Sequence, residues 1–111
     1  MAPFKRAYLI EPALVTPTTD PTPLFTGKQI LDAYWVLVQV RSMGTATYVR
    51  IGNRNAQEST FSGVGDYMIY DVPEGYVFNA AKMHVISDTS DAVLEISGMF
   101  PALSQDGADV E

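Results

Sequence analysis

The stretch Ile30-Leu-Asp-Ala-Tyr-Trp-Val-Leu-Val-Gln-Val40 decides how this chain is read. It is long enough for a helix, but Tyr34, Trp35, Val36, Val38 and Val40 are aromatic or β-branched, a composition that suits a pleated surface. Alternation places Tyr34, Val36, Val38 and Val40 on one face, and Ala33, Trp35, Leu37 and Gln39 on the other. Both faces are largely apolar. Such a strand is buried on both sides, or its outer side is covered by a partner. The expectation is a central strand. Trp35 has the place of an immunoglobulin-core tryptophan, but no cysteine pair accompanies it, so it reads as a large core residue.

Turn chemistry and short apolar runs alternate outward from this segment. Arg41-Ser-Met-Gly-Thr45 has hairpin length, with Gly44 free to take positive φ. The next strand, Ala46–Ile51, sends Thr47, Val49 and Ile51 to one side and Ala46, Tyr48 and Arg50 to the other. Gly52-Asn-Arg-Asn55 breaks it with residues that tolerate left-handed geometry. Gln57 to Phe61 reads as a short edge strand, and Gly63-Val-Gly65-Asp66 as a hairpin turn into Tyr67–Val72. Pro73-Glu-Gly75 turns the chain again. Tyr76–Phe78 and Met83–Ser87 form one broken strand or two, Ser87-Asp-Thr-Ser-Asp91 is a polar turn, and Ala92–Phe100 closes the set. The count is seven or eight strands. The fold class expected is all-β, an antiparallel β-sandwich of jelly-roll or immunoglobulin-like type, with the strand order left open.

The ends read differently from the middle. Pro12, Pro17, Pro21 and Pro23 follow one another closely, and each fixes φ and removes a ladder donor. Residues 1–23 are therefore expected as an extended Pro/Thr-rich arm, with Lys5–Ile10 compatible with a short strand. The arm is either a surface linker or a strap laid across a neighbouring subunit. Residues 24–103 form the sandwich domain. Residues 104–111, Ser-Gln-Asp-Gly-Ala-Asp-Val-Glu, lack an apolar pattern and read as a disordered acidic tail.

Composition narrows the function. With 111 residues, 47% of them apolar, the chain has the size and core content of one domain that folds without staples. It contains no cysteine, which argues against a crosslinked secreted domain. Seven basic residues against 13 acidic ones give a formal charge of −6, a solubility feature that supplies no basic field for nucleic acid. Ala7-Tyr-Leu-Ile10 is too short for a signal-peptide core, and the longest apolar run, Ala33 to Val38, is too short to span a bilayer. The expectation is a soluble protein with no nucleic-acid or membrane partner.

Reactive constellations are sparse. His84 is the only histidine, too few for a cupin-type metal site, and it reads as a half-buried packing residue. Asp88 and Asp91 share one turn, but the glycine and distal glutamate of a calcium loop are missing; the carboxylates are expected to bond nearby backbone N–H groups. Gly63-Val-Gly65-Asp66 has neither a following lysine nor a helix to cradle phosphate. Tyr48, Tyr67, Tyr70, Tyr76 and Phe78 are numerous enough to line a sugar-stacking face, although alternation buries several of them. No catalytic residue, cofactor or metal ligand is assigned, and the chain is read as a non-enzyme.

Five pieces recur in order: a Thr/Pro-rich arm running into Leu24-Phe25, then Gly44-Thr-Ala-Thr-Tyr-Val-Arg-Ile-Gly52, Gly65-Asp66-Tyr67, Ala80-Ala-Lys-Met-His-Val-Ile-Ser87 and Ala92-Val-Leu-Glu-Ile-Ser-Gly98. Over residues 16–100 this series resembles the small β-sandwich proteins that decorate or cement the heads of tailed bacteriophages. The resemblance implies a structural virion protein on the head surface, assembled in the host cytoplasm. Its partners would be the major capsid protein and further copies of itself, as a trimer or dimer. The arm would supply the contacts, through Tyr8, Leu9, Ile10, Pro17, Pro21, Pro23, Leu24 and Phe25. The alternative is a phage fibre, tail or carbohydrate-binding recognition module.

Overall fold

The computed structural model describes residues 7–26 and 30–101. Ten strands follow one another: β1 (Ala7–Val15), β2 (Thr22–Pro23), β3 (Asp32–Ala33), β4 (Trp35–Ser42), β5 (Val49–Gly52), β6 (Ser59–Thr60), β7 (Tyr67–Asp71), β8 (Phe78–Asn79), β9 (His84–Ser87) and β10 (Val93–Pro101). The only helical element among the described residues is a 3₁₀ turn, Ala80–Lys82. The protein is all-β and every strand pairing is antiparallel.

One four-stranded sheet has the order β1-β10-β4-β7, and a second has the order β2-β9-β5-β6; β3 and β8 form a separate pair. With that pair set aside, the pairings nest. The first strand lies on the last, the second on the next to last, β4 on β7 and β5 on β6. The inward faces share one core. Val36, Val38 and Val40 of β4 and Leu94, Ile96 and Phe100 of β10 meet Val49, Ile51 and Val85 of the second sheet. Alternation produces this directly: β10 reads half-buried, buried, half-buried along its whole length. Gly98 continues the buried series because a Cβ there would lie 2.7 Å from the Phe100 ring and 2.9 Å from the Trp35 carbonyl oxygen. The Phe100 ring meets Phe25 edge to face, with centroids 5.7 Å apart.

The expected central strand is confirmed in part. β4 does lie inside its sheet, between β10 and β7. The run from Ile30 to Val40 is not one strand, however. It bends at Tyr34, whose N–H donates to the Met99 carbonyl at 2.8 Å, and the bend resets the alternation so that Ala33 and Val36 are both fully buried. Trp35 then faces outward and is half-buried instead of sitting in the core. Gly63–Asp66 is also not a hairpin turn. It carries the chain from β6 in one sheet to β7 in the other.

Of the arm expected over residues 1–23, residues 1–6 lie outside the described residues, and residues 7–23 run along the edges of the two sheets. From Ala7 to Val15 the chain forms edge strand β1 on β10, with a register shift between Ile10 and Ala13 that accommodates Pro12. Pro17 is fully buried, the Ser87 N–H donates to the Thr18 carbonyl, and Thr22–Pro23 pair with Val85 and His84. Prolines that argued for a free strap are tolerated because they sit at an edge, in a connection and at a strand end. The tail expected over 104–111 lies outside the described residues.

Two carboxylates tie the β4–β5 loop to the β9–β10 turn. Asp88 accepts from the Thr47 N–H at 2.9 Å and from the Thr47 hydroxyl. Asp91 accepts from the Thr45 N–H at 3.0 Å, from the Thr45 hydroxyl at 2.9 Å and from the Thr89 hydroxyl at 2.6 Å. Gly44 holds φ at +57°, and a Cβ there would come within 2.5 Å of Asp91, so the loop closes only over glycine. Hydroxyl and backbone donors hold both carboxyls below the usual carboxylate range: the Thr47 side chain is the main cause at Asp88, and the Thr89 side chain at Asp91.

Two expectations follow. Phe100→Ala empties a fully buried site and lowers stability by about 3–5 kcal/mol in denaturant titration, whereas Trp35→Ala costs clearly less. The two aspartates favour folding above their unfolded pKa of about 3.9, and that contribution fades as pH falls through their lower folded values. The melting temperature of the parent chain should therefore drop below about pH 4, more steeply than that of the Asp88→Asn/Asp91→Asn double variant.

Candidate assembly surface

The outward face of the β1-β10-β4-β7 sheet can be laid out from the register. Residues opposite one another in an antiparallel ladder share a face. One row runs Met99, Trp35, Asp71; the next runs Ser97, Leu37, Ile69; a third runs Leu14, Glu95, Gln39, Tyr67. Apolar side chains thus gather over β4 and β7: Trp35 and Leu37 are half-buried, Ile69 is 56% exposed and Tyr67 is 58% exposed. At one end of the face Arg41 of β4 and Glu95 of β10 form an ion pair at 3.0 Å, and Ser97, Gln39 and Asp71 are the polar members of the rows. Scattered apolar residues are ordinary on a protein surface, but adjacent ones on a pleated face form a patch. This is the outer face of β4, the second apolar side of the Ile30–Val40 run.

A second feature lies between the edges of the two sheets. A groove of about 560 Å³ opens between β1 and β2, with Leu14, Val15, Pro23, Leu24, Phe25 and Leu31 in its wall. The eight residues expected as arm contacts are divided by the structure. Tyr8, Leu9 and Ile10 are strand residues of β1, opposite Phe100, Met99 and Gly98. Pro17 is fully buried, Leu24 and Phe25 belong to the core, Pro23 is half-buried in β2 and Pro21 is exposed. Of the eight, Pro23, Leu24 and Phe25 line the groove. Leu37 and Tyr67 are legible in the sequence only one strand at a time, and Ile69 and Met99 not at all, because their shared face depends on strand order.

Other constellations are structural in their surroundings. The Nδ1 of His84 lies 3.0 Å from the Lys82 carbonyl oxygen, and the ring is half-buried on β9, in the packing place expected for it. The guanidinium of Arg50 stacks 4.1 Å over the Tyr48 ring. Asp66 receives the Ser62 N–H at 2.6 Å and the Tyr67 N–H at 2.9 Å; the Ser62 donor is the main cause of its lowered pKa. Among the described residues no three His, Cys, Asp or Glu side chains gather as a metal site, and no helix is long and apolar enough to cross a membrane. No family model, curated protein or solved structure matches the chain.

Trp35 is the only tryptophan and lies in the patch, which makes it a reporter. Acrylamide should quench its fluorescence less as protein concentration rises and copies cover the face. Leu37→Lys should keep the quenching high at every concentration while leaving the melting temperature near that of the parent. Concentration-independent quenching in the parent would mean that the face stays open.

Proposed function

We propose that this chain is a non-enzymatic structural protein of a bacteriophage virion, a decoration or cement subunit that binds the assembled head through the major capsid protein and through copies of itself. The observation that carries the reading is the apolar half-face Trp35–Leu37–Ile69–Tyr67, which a subunit working by shape and burial needs and an isolated monomer does not. The nested strand pairing supports the finer fold assignment. Pairing first with last, second with next to last and onward to β5 with β6 is what results when one long antiparallel hairpin is rolled into two sheets, and it favours a jelly roll over an immunoglobulin-like sandwich. Jelly rolls are common among capsid and lectin domains, so the fold is compatible with both classes, and the apolar face is what supports the capsid reading. The recognition-module alternative draws on Tyr67 and Tyr76, which are 58% and 64% exposed and able to stack on a sugar.

Immunogold labelling of particles assembled with an epitope-tagged chain should mark heads, and Leu37→Lys should lower head occupancy at least several-fold. Label confined to tail fibres, or a monomer whose Tyr76 fluorescence neighbourhood and melting temperature shift on a glycan panel, would replace this reading with the recognition module.

A further inference from the structure

We propose that β7 is a docking edge for β7 of a second copy, joined antiparallel about a twofold axis centred on Ile69. The inference develops the self-association part of the function proposed above, and it is argued from the four sheet edges. β1 carries Pro12 and a register shift, while β2 is two residues long and contains Pro23. β6 is also two residues long. Short edges, prolines and bulges are the devices that keep edge strands from pairing. β7 has none of them. It is five residues long, runs in unbroken register with β4, contains no Pro, Lys or Arg, and has no strand on its other side among the described residues.

The hydrogen-bond parity of β7 turns its free groups outward at the right positions. The Val40 N–H donates to the Asp66 carbonyl at 2.9 Å, in the same register as the pairs Val38–Met68 and Val36–Tyr70. Antiparallel ladders alternate bonded and non-bonded pairs, so Met68 and Tyr70 bond to β4, and Tyr67, Ile69 and Asp71 direct N–H and C=O away from it. The Tyr67 N–H is already taken by the Asp66 carboxylate at 2.9 Å, which caps one end. A twofold through Ile69 then makes Ile69 bond to Ile69 of the second copy in both directions. The Asp71 N–H of each chain reaches the Tyr67 carbonyl of the other.

The side chains favour a second copy as the occupant. The twofold sets Ile69 against Ile69, Met68 against Tyr70, and Tyr67 against Asp71, so that each carboxylate faces a phenol and not its own kind. In a chain of net charge −6, β7 itself holds one acid, Asp71, and the Asp66 carboxylate at its end is engaged by the Ser62 and Tyr67 N–H groups, which limits repulsion between two copies. Pairing merges the two β1-β10-β4-β7 sheets into one continuous surface, on which the two Leu37–Ile69 rows join end to end. A stable interface buries roughly 800 Å² per partner, and a large aromatic supplies about 150–250 Å² of that. Tyr67, Ile69 and the exposed Val64 before them place this contact at the small end of the range, so the dimer is weak in solution and strengthens where a shell holds copies close.

The chain contains no cysteine, so a single introduced thiol reads the geometry. In a bonded antiparallel pair the two Ile69 Cα atoms lie about 5.5 Å apart. That separation is within the roughly 4.4–6.8 Å a disulfide spans. Mild oxidation of the full-length Ile69→Cys chain should give a crosslinked dimer on a non-reducing gel, while Leu14→Cys, 69% exposed on β1 at the opposite edge of the sheet, should not. Ile69→Lys should remove the dimer from light-scattering profiles of the parent and leave its melting temperature within a few degrees. Equal crosslinking of both thiol variants, no crosslink at residue 69, or a parent that is monomeric at all concentrations would overturn the pairing. Head labelling that survives Ile69→Lys would retain the virion assignment without this dimer, and a residue-69 crosslink in a chain absent from heads would do the reverse.

Discussion

The last strand holds this protein together by lying between the first and the fourth. β10 pairs with β1 on one side and β4 on the other, and its inward residues Leu94, Ile96 and Phe100 are all essentially inaccessible to solvent. Without residues 93–101, β1 has no ladder and β4 lacks its partner along one edge. Gly98 is the narrowest point: the Phe100 ring and the Trp35 backbone occupy the space a side chain would need. Sheet, core and the neighbouring Phe25–Phe100 contact therefore converge on one nine-residue segment.

That arrangement makes the fold strongly non-local. Nested pairing brings residue 8 to residue 100 and residue 22 to residue 85, so the outer ladders close only after long loops have been ordered. The β5–β6 pair, by contrast, joins residues fewer than ten apart at its closest point. A fold of this kind gains from local clasps that fix long loops early. The two aspartates of the Ser87–Asp91 turn act in this way, gripping Thr45 and Thr47 across 41 to 46 residues of sequence. The small β3–β8 pair is clasped similarly, with Asn79 accepting from the Leu31 N–H at 2.8 Å and from the Ala81 N–H at 3.0 Å.

Alternation made the strands legible one at a time. Val49 and Ile51 face inward and Arg50 outward as their spacing implied, and the same rule holds along β10. What alternation does not carry is partnership between segments. Trp35 reads as core because both faces of its run are apolar; alternation sets it opposite Val36, and nothing local says that this opposite face is the outer one. Asp88 and Asp91 were expected to serve their own turn, since the threonines they bind are remote in sequence. The proline series before residue 24 argued correctly against a central strand but could not distinguish a free arm from a sheet edge, because Pro12 and Pro23 are acceptable in both. The candidate surface was legible only as a surplus: more hydrophobic residues on Ile30–Val40 than one buried face requires.

That surplus is unevenly spread, and the unevenness bears on what covers it. A face meant only to remain in solvent has no reason to segregate its polar residues. Here Arg41 of β4 and Glu95 of β10 pair at one end of the face, Gln39 and Asp71 flank the patch, and Trp35, Leu37, Ile69 and Tyr67 lie together over β4 and β7. Exposed ion pairs contribute little to stability, so Arg41–Glu95 is better understood as keeping one end of the sheet wetted than as a structural tie. A partner that buried the whole face would have to desolvate that pair, whereas one that approaches from the β7 edge meets the apolar half first and leaves the charges at the rim. The layout of a hydrophobic centre with a polar margin is that of an interface core and its rim, and it turns the apolar half toward the one sheet edge that carries no blocking device.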